Sequence, residues 1–214
     1  MTEHRPPREI LRYSANERTN HWLVAISFVL AGLSGLALYH PAMSWLYALF
    51  GGGPWTRILH PFIGVFMFVV FFLFAARMWG SNRIDARDRQ WLRQIDDVAA
   101  GREDRLPEVG RYNAGQKLLF WGLVACMLGL LATGVVMWQP WFAPIFPVTI
   151  IRAASVVHAI LATVIICMII FHAYTGFWVK GAMRAMLQGQ VTRGWAWKHH
   201  RGWLRELDRD TEGK

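Results

Sequence analysis

AASVVHAILATVIICMIIFHAYTGFWV, residues 153–179, is a run of 27 residues without a formal charge. At about 1.5 Å per residue it would form about 40 Å of α-helix, longer than the ~30 Å hydrocarbon core of a bilayer. It therefore predicts a membrane span whose ends reach the interfacial layers. Two histidines, His158 and His172, lie inside it. Their separation is close to four helical turns, so both imidazoles project from nearly the same face, about 21 Å apart along the axis. An imidazole in hydrocarbon is costly without a partner, which makes each a candidate functional residue. The partners must come from elsewhere in the chain.

Three further apolar segments are available. No formal charge occurs between Arg18 and Arg57, and the most apolar part of that stretch is 22–39; a second run covers 58–76 and a third 118–138. With their polar ends the spans read as about 19–40, 58–78, 114–138 and 152–180, joined by a loop at 79–113 and followed by a tail at 181–214. The expected fold is an all-α membrane protein, a four-transmembrane-helix bundle forming one integral unit over residues 1–214. Composition agrees: 54% of the residues are hydrophobic and 17% charged, the latter below the soluble norm of about a quarter. A chain of 214 residues with four spans leaves no room for a separate catalytic domain. The first apolar run is too long for a signal-peptide core and lacks a small-residue cleavage site, so it should persist as a span. Trp22, Tyr39, Trp45, Trp55, Trp79, Trp138, Trp141 and Trp178 fall near span ends, where amphipathic rings favour the headgroup layer.

Charge sets the expected orientation. With four spans, both termini and the central loop share one side, and of the 23 Lys and Arg residues only Arg57 and Arg152 lie on the other. The positive-inside rule makes the termini and the loop cytoplasmic. All 14 acidic residues fall on that same side, which argues against a proton pump or ion transporter built on intramembrane carboxylates. The net charge of +9 is spread between apolar spans rather than gathered on a soluble aromatic-studded face, so nucleic acid is not an expected partner.

Topology then pairs the histidines. His21 opens the first span at the cytoplasmic face and His60 opens the second at the outer face; in the fourth, His158 is outer and His172 inner. The expected pairs are His60 with His158 and His21 with His172, each matched in depth. Two stacked imidazole pairs suit two bis-histidine haems. Cys126 and Cys167 lie apart in apolar runs, outside any C-x-x-C-H pattern, and are expected to be small core residues, so the haems would be b-type. The competing reading is that neighbouring helices satisfy four polar side chains, as in a haem-free membrane anchor. Gly32, Gly35, Gly64 and Gly134 would let backbones approach a macrocycle or, equally, one another. His4, His40, His199 and His200 are expected to face solvent.

Two redox centres without a carboxylate relay point to transmembrane electron transfer, with a lipid-soluble quinone as the natural inner acceptor. Asn113-Ala-Gly-Gln116 precedes the third span at that level. It reads as a capping box, and its amides or the helix N-terminus could also bond a quinone oxygen near the level of His172. In the loop, Ile84, Trp91, Ile95 and Val98 recur at helical spacing among Arg87, Arg89, Arg93, Asp96 and Asp97, predicting a short amphipathic surface helix. The tail from Trp195 to Trp203 reads either as a second such helix or as a solvated basic tail.

The strings Arg57-Ile-Leu-His-Pro-Phe, Tyr112-Asn-Ala-Gly-Gln-Lys, His172-Ala-Tyr-Thr-Gly-Phe-Trp-Val-Lys-Gly and Lys198-His-His-Arg resemble the cytochrome b (gamma) subunit of respiratory, membrane-bound formate dehydrogenase. The likeness runs from His21 to the tail. It implies two b haems, on His60 and His158 outside and His21 and His172 inside. It also implies a quinone, menaquinone or ubiquinone, bordered by Asn113, Gly115, Gln116 and His172. The implied partners are an iron-sulfur beta subunit and a molybdopterin alpha subunit that oxidises formate, the whole assembling as a trimer of heterotrimers. Electrons would enter on the periplasmic side and leave to quinone on the cytoplasmic side. The bare ligand pattern also suits a diheme cytochrome b serving a hydrogenase or another periplasmic oxidoreductase.

Overall fold

Helix boundaries follow local chemistry. In the computed structural model, which describes residues 9–102 and 105–212, Ser14 and Glu17 close a capping box. The backbone N–H of Ser14 donates to the Glu17 carboxylate at 2.7 Å and that of Glu17 to the Ser14 hydroxyl at 3.3 Å. From there α1 runs Ala15–Tyr39 and stops at His40, which is extended as the residue before Pro41 tends to be. The exposed His40 ring accepts from the N–H of Ala42 at 3.1 Å and starts a 3-10 helix, Pro41–Phe50, closed by Gly51 at φ 81°. Next comes α2, Gly53–Met78.

The loop folds into two short helices rather than one, α3 at Ala86–Arg93 and α4 at Ile95–Ala99. Asp85 caps α3 and exchanges a full capping box with Asp88. Only Trp91 of the expected apolar stripe is buried; Ile84 and Ile95 stay exposed. After the loop come α5, Ala114–Met137, and α6, Val148–Trp178. The tail holds α7 (Ala182–Gln188), α8 (Arg193–His199) and α9 (Arg201–Glu212).

Four of these helices, α1, α2, α5 and α6, are long and apolar enough to cross a membrane. No more than 22% of the most apolar part of any of them is buried within the protein. Their remaining surface is apolar, with Leu23, Ile26, Val29, Phe62, Phe66, Ile160 and Ile170 all exposed, as lipid-facing helices require.

The described chain divides into two compact units. Among the described residues the membrane unit comprises 19–77 and 121–173, and the polar unit 9–18, 78–102, 105–120 and 174–212. Within the membrane unit, α5 meets α6 at glycines: a Cβ on Gly122 would stand 2.5 Å from Met168 Cε, and one on Gly129 2.5 Å from Leu161 Cδ1. Asn20 donates to the Val70 carbonyl at 3.0 Å, tying α1 to α2. Cys126 is buried but Cys167 is exposed on α6, contrary to the expectation that both are core residues, because α6 turns that face away from its neighbours.

The polar unit departs most from expectation. Residues Glu9–Leu11 (β1) pair antiparallel with Gln190–Thr192 (β2), a small sheet in a chain read as all-α. Ala185, Val191, Ala196, Trp203 and Leu204 form a core beneath it. The tail is therefore no solvated arm: Trp195 and Trp203 both meet Arg12, from the opposite end of the sequence. Gly189 makes the connection possible. It ends α7 at φ 85°, its carbonyl accepts from the N–H groups of Arg12 (2.7 Å) and Tyr13 (3.1 Å), and a Cβ there would stand 2.6 Å from the Tyr13 oxygen.

Candidate functional site

The four intramembrane histidines meet in two pairs. His60 of α2 faces His158 of α6 with ring centroids 6.3 Å apart, and His21 of α1 faces His172 of α6 at 6.2 Å. Two imidazoles sharing an N–H···N hydrogen bond would bring their centroids to roughly 5 Å. These rings are farther apart than that. A metal ion between them, with bonds of about 2 Å to one nitrogen of each ring, places the centroids at about 6.2 Å. The spacing thus leaves room for a metal ion between the two rings of each pair. Among the described residues no three His, Cys, Asp or Glu side chains converge, so each pair would offer a metal two protein ligands.

The surroundings fit a flat group as well. Gly35 and Gly134 abut the rings: a Cβ on the first would stand 3.2 Å from His60 Cε1 and one on the second 3.5 Å from His158 Cε1. These two glycines make room for imidazoles, a use the sequence reading did not consider. Gly32 and Gly64 border open space, with no atom within 4 Å of where a Cβ would be. Trp22 and Phe74 meet the His21 ring edge-on at 5.5 and 6.2 Å.

Two further residues escaped the sequence reading. Ser34 Oγ lies 2.9 Å from His60 Nδ1, and Thr133 Oγ1 lies 2.8 Å from His158 Nδ1. The available signal was a hydroxyl in an otherwise apolar span near the depth of a histidine on another span. His21 differs, because its Nδ1 is buried without a hydrogen-bond partner.

Asn113, Gly115 and Gln116 stand at the start of α5 in the polar unit, whereas His172 belongs to the membrane unit. The expected capping box is present: Asn113 N–H donates to Gln116 Oε1 at 3.0 Å and Gln116 N–H to Asn113 Oδ1 at 2.9 Å. Only the carbonyl oxygens are used, and the two side-chain NH2 groups take no part in the cap. Gly115 packs under Trp91, where a Cβ would be 3.4 Å from Cη2. Lys117, one residue further along, is buried and pairs with buried Asp88 at 2.7 Å. Asn113, Trp91, Lys117 and Asp88 line a recess of about 290 Å³ together with Asp85, Arg111 and Tyr112, whereas Gly115 and Gln116 lie outside it.

His200 is the clearest departure among the histidines thought to face solvent: it is 3% exposed. His199 is half-buried, His40 is exposed as expected, and His4 lies outside the described residues. The His200 ring sits between Gly110 O, 2.9 Å from Nδ1, and the Arg12 guanidinium, 3.5 Å from Nε2. A carbonyl only accepts and a guanidinium only donates, so Nδ1 carries the proton and the ring is neutral. Burial, with the Arg12 charge second, pushes its pKa down to about 3. Arg12 is itself 3% exposed, its guanidinium 4.4 Å from the Trp203 ring centre and within 6 Å of those of Tyr13, Tyr112 and Trp195.

Four membrane-length helices carrying facing imidazole pairs define a class, the membrane cytochromes of b type. Residues 12–189 match the prokaryotic cytochrome b561 family. The chain is 42% identical over 205 residues to the formate dehydrogenase cytochrome b556(fdo) subunit of Escherichia coli (strain K12), covering 96% of both proteins. It is 40% identical over 200 residues to the nitrate-inducible formate dehydrogenase cytochrome b556(Fdn) subunit of that organism, covering 94% of this chain and 92% of the relative. To the formate dehydrogenase cytochrome b556 subunit of Haemophilus influenzae (strain ATCC 51907 / DSM 11121 / KW20 / Rd) it is 36% identical over 197 residues, covering 92% and 83% respectively. The chain belongs to the prokaryotic cytochrome b561 family and, within it, to the formate dehydrogenase cytochrome b subunits. It is a multi-pass membrane protein of a family that binds b-type haem.

Proposed function

We propose that this chain carries electrons from an iron-sulfur subunit on the periplasmic face, through two bis-histidine b haems, to a quinone at the cytoplasmic face. In this reading formate itself is oxidised on a molybdopterin subunit, and this chain is the non-catalytic, electron-transferring member of a formate:quinone oxidoreductase in the bacterial inner membrane. The observation that carries it is the spacing of the two imidazole pairs, 6.3 and 6.2 Å between ring centroids. His60 and His158 would hold the outer haem, and His21 and His172 the inner one. Bound there, b haem supplies a one-electron Fe(III)/Fe(II) couple.

The chain's own residues do the rest. α6 carries one ligand of each pair, so a single helix fixes the separation of the two sites at about 21 Å along its axis. Gly35 and Gly134 keep two of the rings clear of neighbouring backbone. The charge asymmetry, with only Arg57 and Arg152 among the basic residues of the outer side, orients both termini to the cytoplasm. Asn113, Gly115 and Gln116 would border the quinone. The amide NH2 groups not used in the helix cap are suited to donate to a quinone oxygen, and the N-terminus of α5 favours the negative charge that develops there.

Isolation of the intact complex tests the proposal. Formate should reduce two spectrally separable b haems, and added quinone should reoxidise them. Recovery of a hydrogenase large subunit in place of a formate-oxidising one would overturn the assignment of donor, and reduced-minus-oxidised spectra without a b-type α-band would overturn the haem reading altogether.

A further inference from the structure

Each imidazole of the His60–His158 pair has its second ring nitrogen within reach of a hydroxyl from another helix. Ser34 of α1 lies 2.9 Å from His60 Nδ1, and Thr133 of α5 lies 2.8 Å from His158 Nδ1. Both hydroxyls have already committed their proton. Ser34 Oγ is 2.8 Å from the Leu30 carbonyl, and Thr133 Oγ1 is 2.7 Å from the Gly129 carbonyl, each four residues back on its own helix. A carbonyl cannot donate, so each hydroxyl gives its proton to the carbonyl and keeps a lone pair for the ring. The bond on the histidine side is then Nδ1–H donating, shared between Oγ and a backbone carbonyl of the same turn, that of Ala31 for His60 and that of Leu130 for His158. This fixes the tautomer of both rings and leaves Nε2 as the nitrogen with a free lone pair.

The arrangement is not a by-product of helix formation. A serine that bonds back to the carbonyl four residues earlier slightly destabilises its helix, and Ser34 is completely buried. Neither hydroxyl sits on a helix that supplies a ring to this pair: α1 bears His21 of the other pair, and α5 bears no paired histidine. In the other pair, His21 Nδ1 is buried without any hydrogen-bond partner. The two pairs thus share a spacing and differ in what holds their rings.

We propose that Ser34 and Thr133 are positioning residues for the haem held by His60 and His158, and that their Nδ1–H···Oγ–H···O=C chains lower its reduction potential. An acceptor on the second ring nitrogen makes the ligating nitrogen a stronger donor, and a stronger donor favours the ferric state. The proposal rests on the ligand assignment given above.

The test is a redox titration of the haem-loaded complex as isolated from membranes, followed at the α-band, with low-temperature EPR to separate the two ferric centres. Ser34→Ala and Thr133→Val should each raise the potential of one and the same haem and shift its g-values, leaving the other haem in place. Ser34→Thr and Thr133→Ser, which keep a hydroxyl, should titrate like the native protein. Should Ser34→Ala lose that haem outright while Ser34→Thr keeps it, the hydroxyl's positioning role is upheld. Unmoved potentials with full haem content, equal shifts of both haems, or identical behaviour of Ser34→Ala and Ser34→Thr would overturn it. His60→Ala separates the two layers of argument: if that variant retains both haems, the ligand assignment itself fails, independently of the hydroxyls.

Discussion

The membrane unit and the polar unit of this chain stabilise themselves in opposite ways. In the membrane unit, the long helices touch through a few glycines, the Asn20 amide, the Ser34 and Thr133 hydroxyls and two facing pairs of rings. Lipid cannot satisfy a polar group, so an imidazole there needs something to bind. In the polar unit charged side chains meet partners from the unit itself: Arg12 is enclosed by four aromatic rings, Lys117 pairs with Asp88, Arg111 with Glu17 at 2.8 Å and Arg193 with Asp208 at 2.6 Å, although Arg12 Nη1 and Arg111 Nε are buried without a hydrogen-bond partner. The difference teaches where each unit is vulnerable. The first should depend on its cofactors, and the second on its own ion pairs and protonation.

The largest effect expected is the removal of a ring. His60→Ala and His158→Ala should each abolish the same b haem, and His21→Ala and His172→Ala the other, as read from reduced-minus-oxidised spectra and haem content of purified protein. If His60→Ala and His158→Ala removed different haems, the pairing would be wrong. Loss of a haem should also loosen the membrane unit, seen as faster proteolysis at residues 51–53, while the tail core stays protected.

Next in size is the Lys117–Asp88 pair. Both side chains are under 10% exposed, so removing one partner leaves the other charge buried, at a cost of about 3–5 kcal/mol. Lys117→Ala should therefore lower the thermal stability of the polar unit far more than Arg87→Ala, whose partner Asp85 is well exposed at 3.8 Å. Equal effects of the two substitutions would mean that the burial of Asp88 carries no energetic weight.

Protonation gives a smaller, graded effect. The His200 pKa falls from an ordinary 6.5 to about 3 on folding, so below pH 6.5 the unfolded chain binds a proton that the folded chain does not. Stability contributed by neutral His200 is complete above pH 6.5 and is lost as the pH falls, by about 1.4 kcal/mol per unit. The loss continues down to about pH 3. Hydrogen exchange of α8 and α9 between pH 7 and 5 should show this slope, and His200→Gln should flatten it.

How far the sequence could be read follows the same division. Residues 153–179 announce a helix because only a span tolerates so long an uncharged run, and His21, His60, His158 and His172 stand out because imidazoles are rare in such a solvent. Their pairing needed only an alternating up-and-down path. The polar unit offered no such filter. Lys198-His-His-Arg looks solvated by composition, and nothing local reveals that His200 is enclosed by Gly110 and Arg12 or that Val191 pairs with Ile10. Ser34 and Thr133 were hidden for another reason: hydroxyls that bond back to their own helix are ordinary in spans, and only the ring beside them shows a second use.

Asn113 is the finest point of the comparison, since it serves the polar unit as a cap and is assigned to the quinone by proposal. Asn113→Ala should cost about 1 kcal/mol through the lost cap, whether or not a quinone binds there. Asn113→Ser separates the roles, because serine caps as well as asparagine but has no amide to give. If the amide meets a quinone oxygen, Asn113→Ser should keep native thermal stability and native haem reduction by formate, yet slow haem reoxidation by added menaquinone analogue several-fold. Native reoxidation in Asn113→Ser would confine this residue to capping, and the quinone contact would then have to be sought at Gln116, whose Oε1 accepts from the Asn113 N–H while its Nε2 takes no part in the cap.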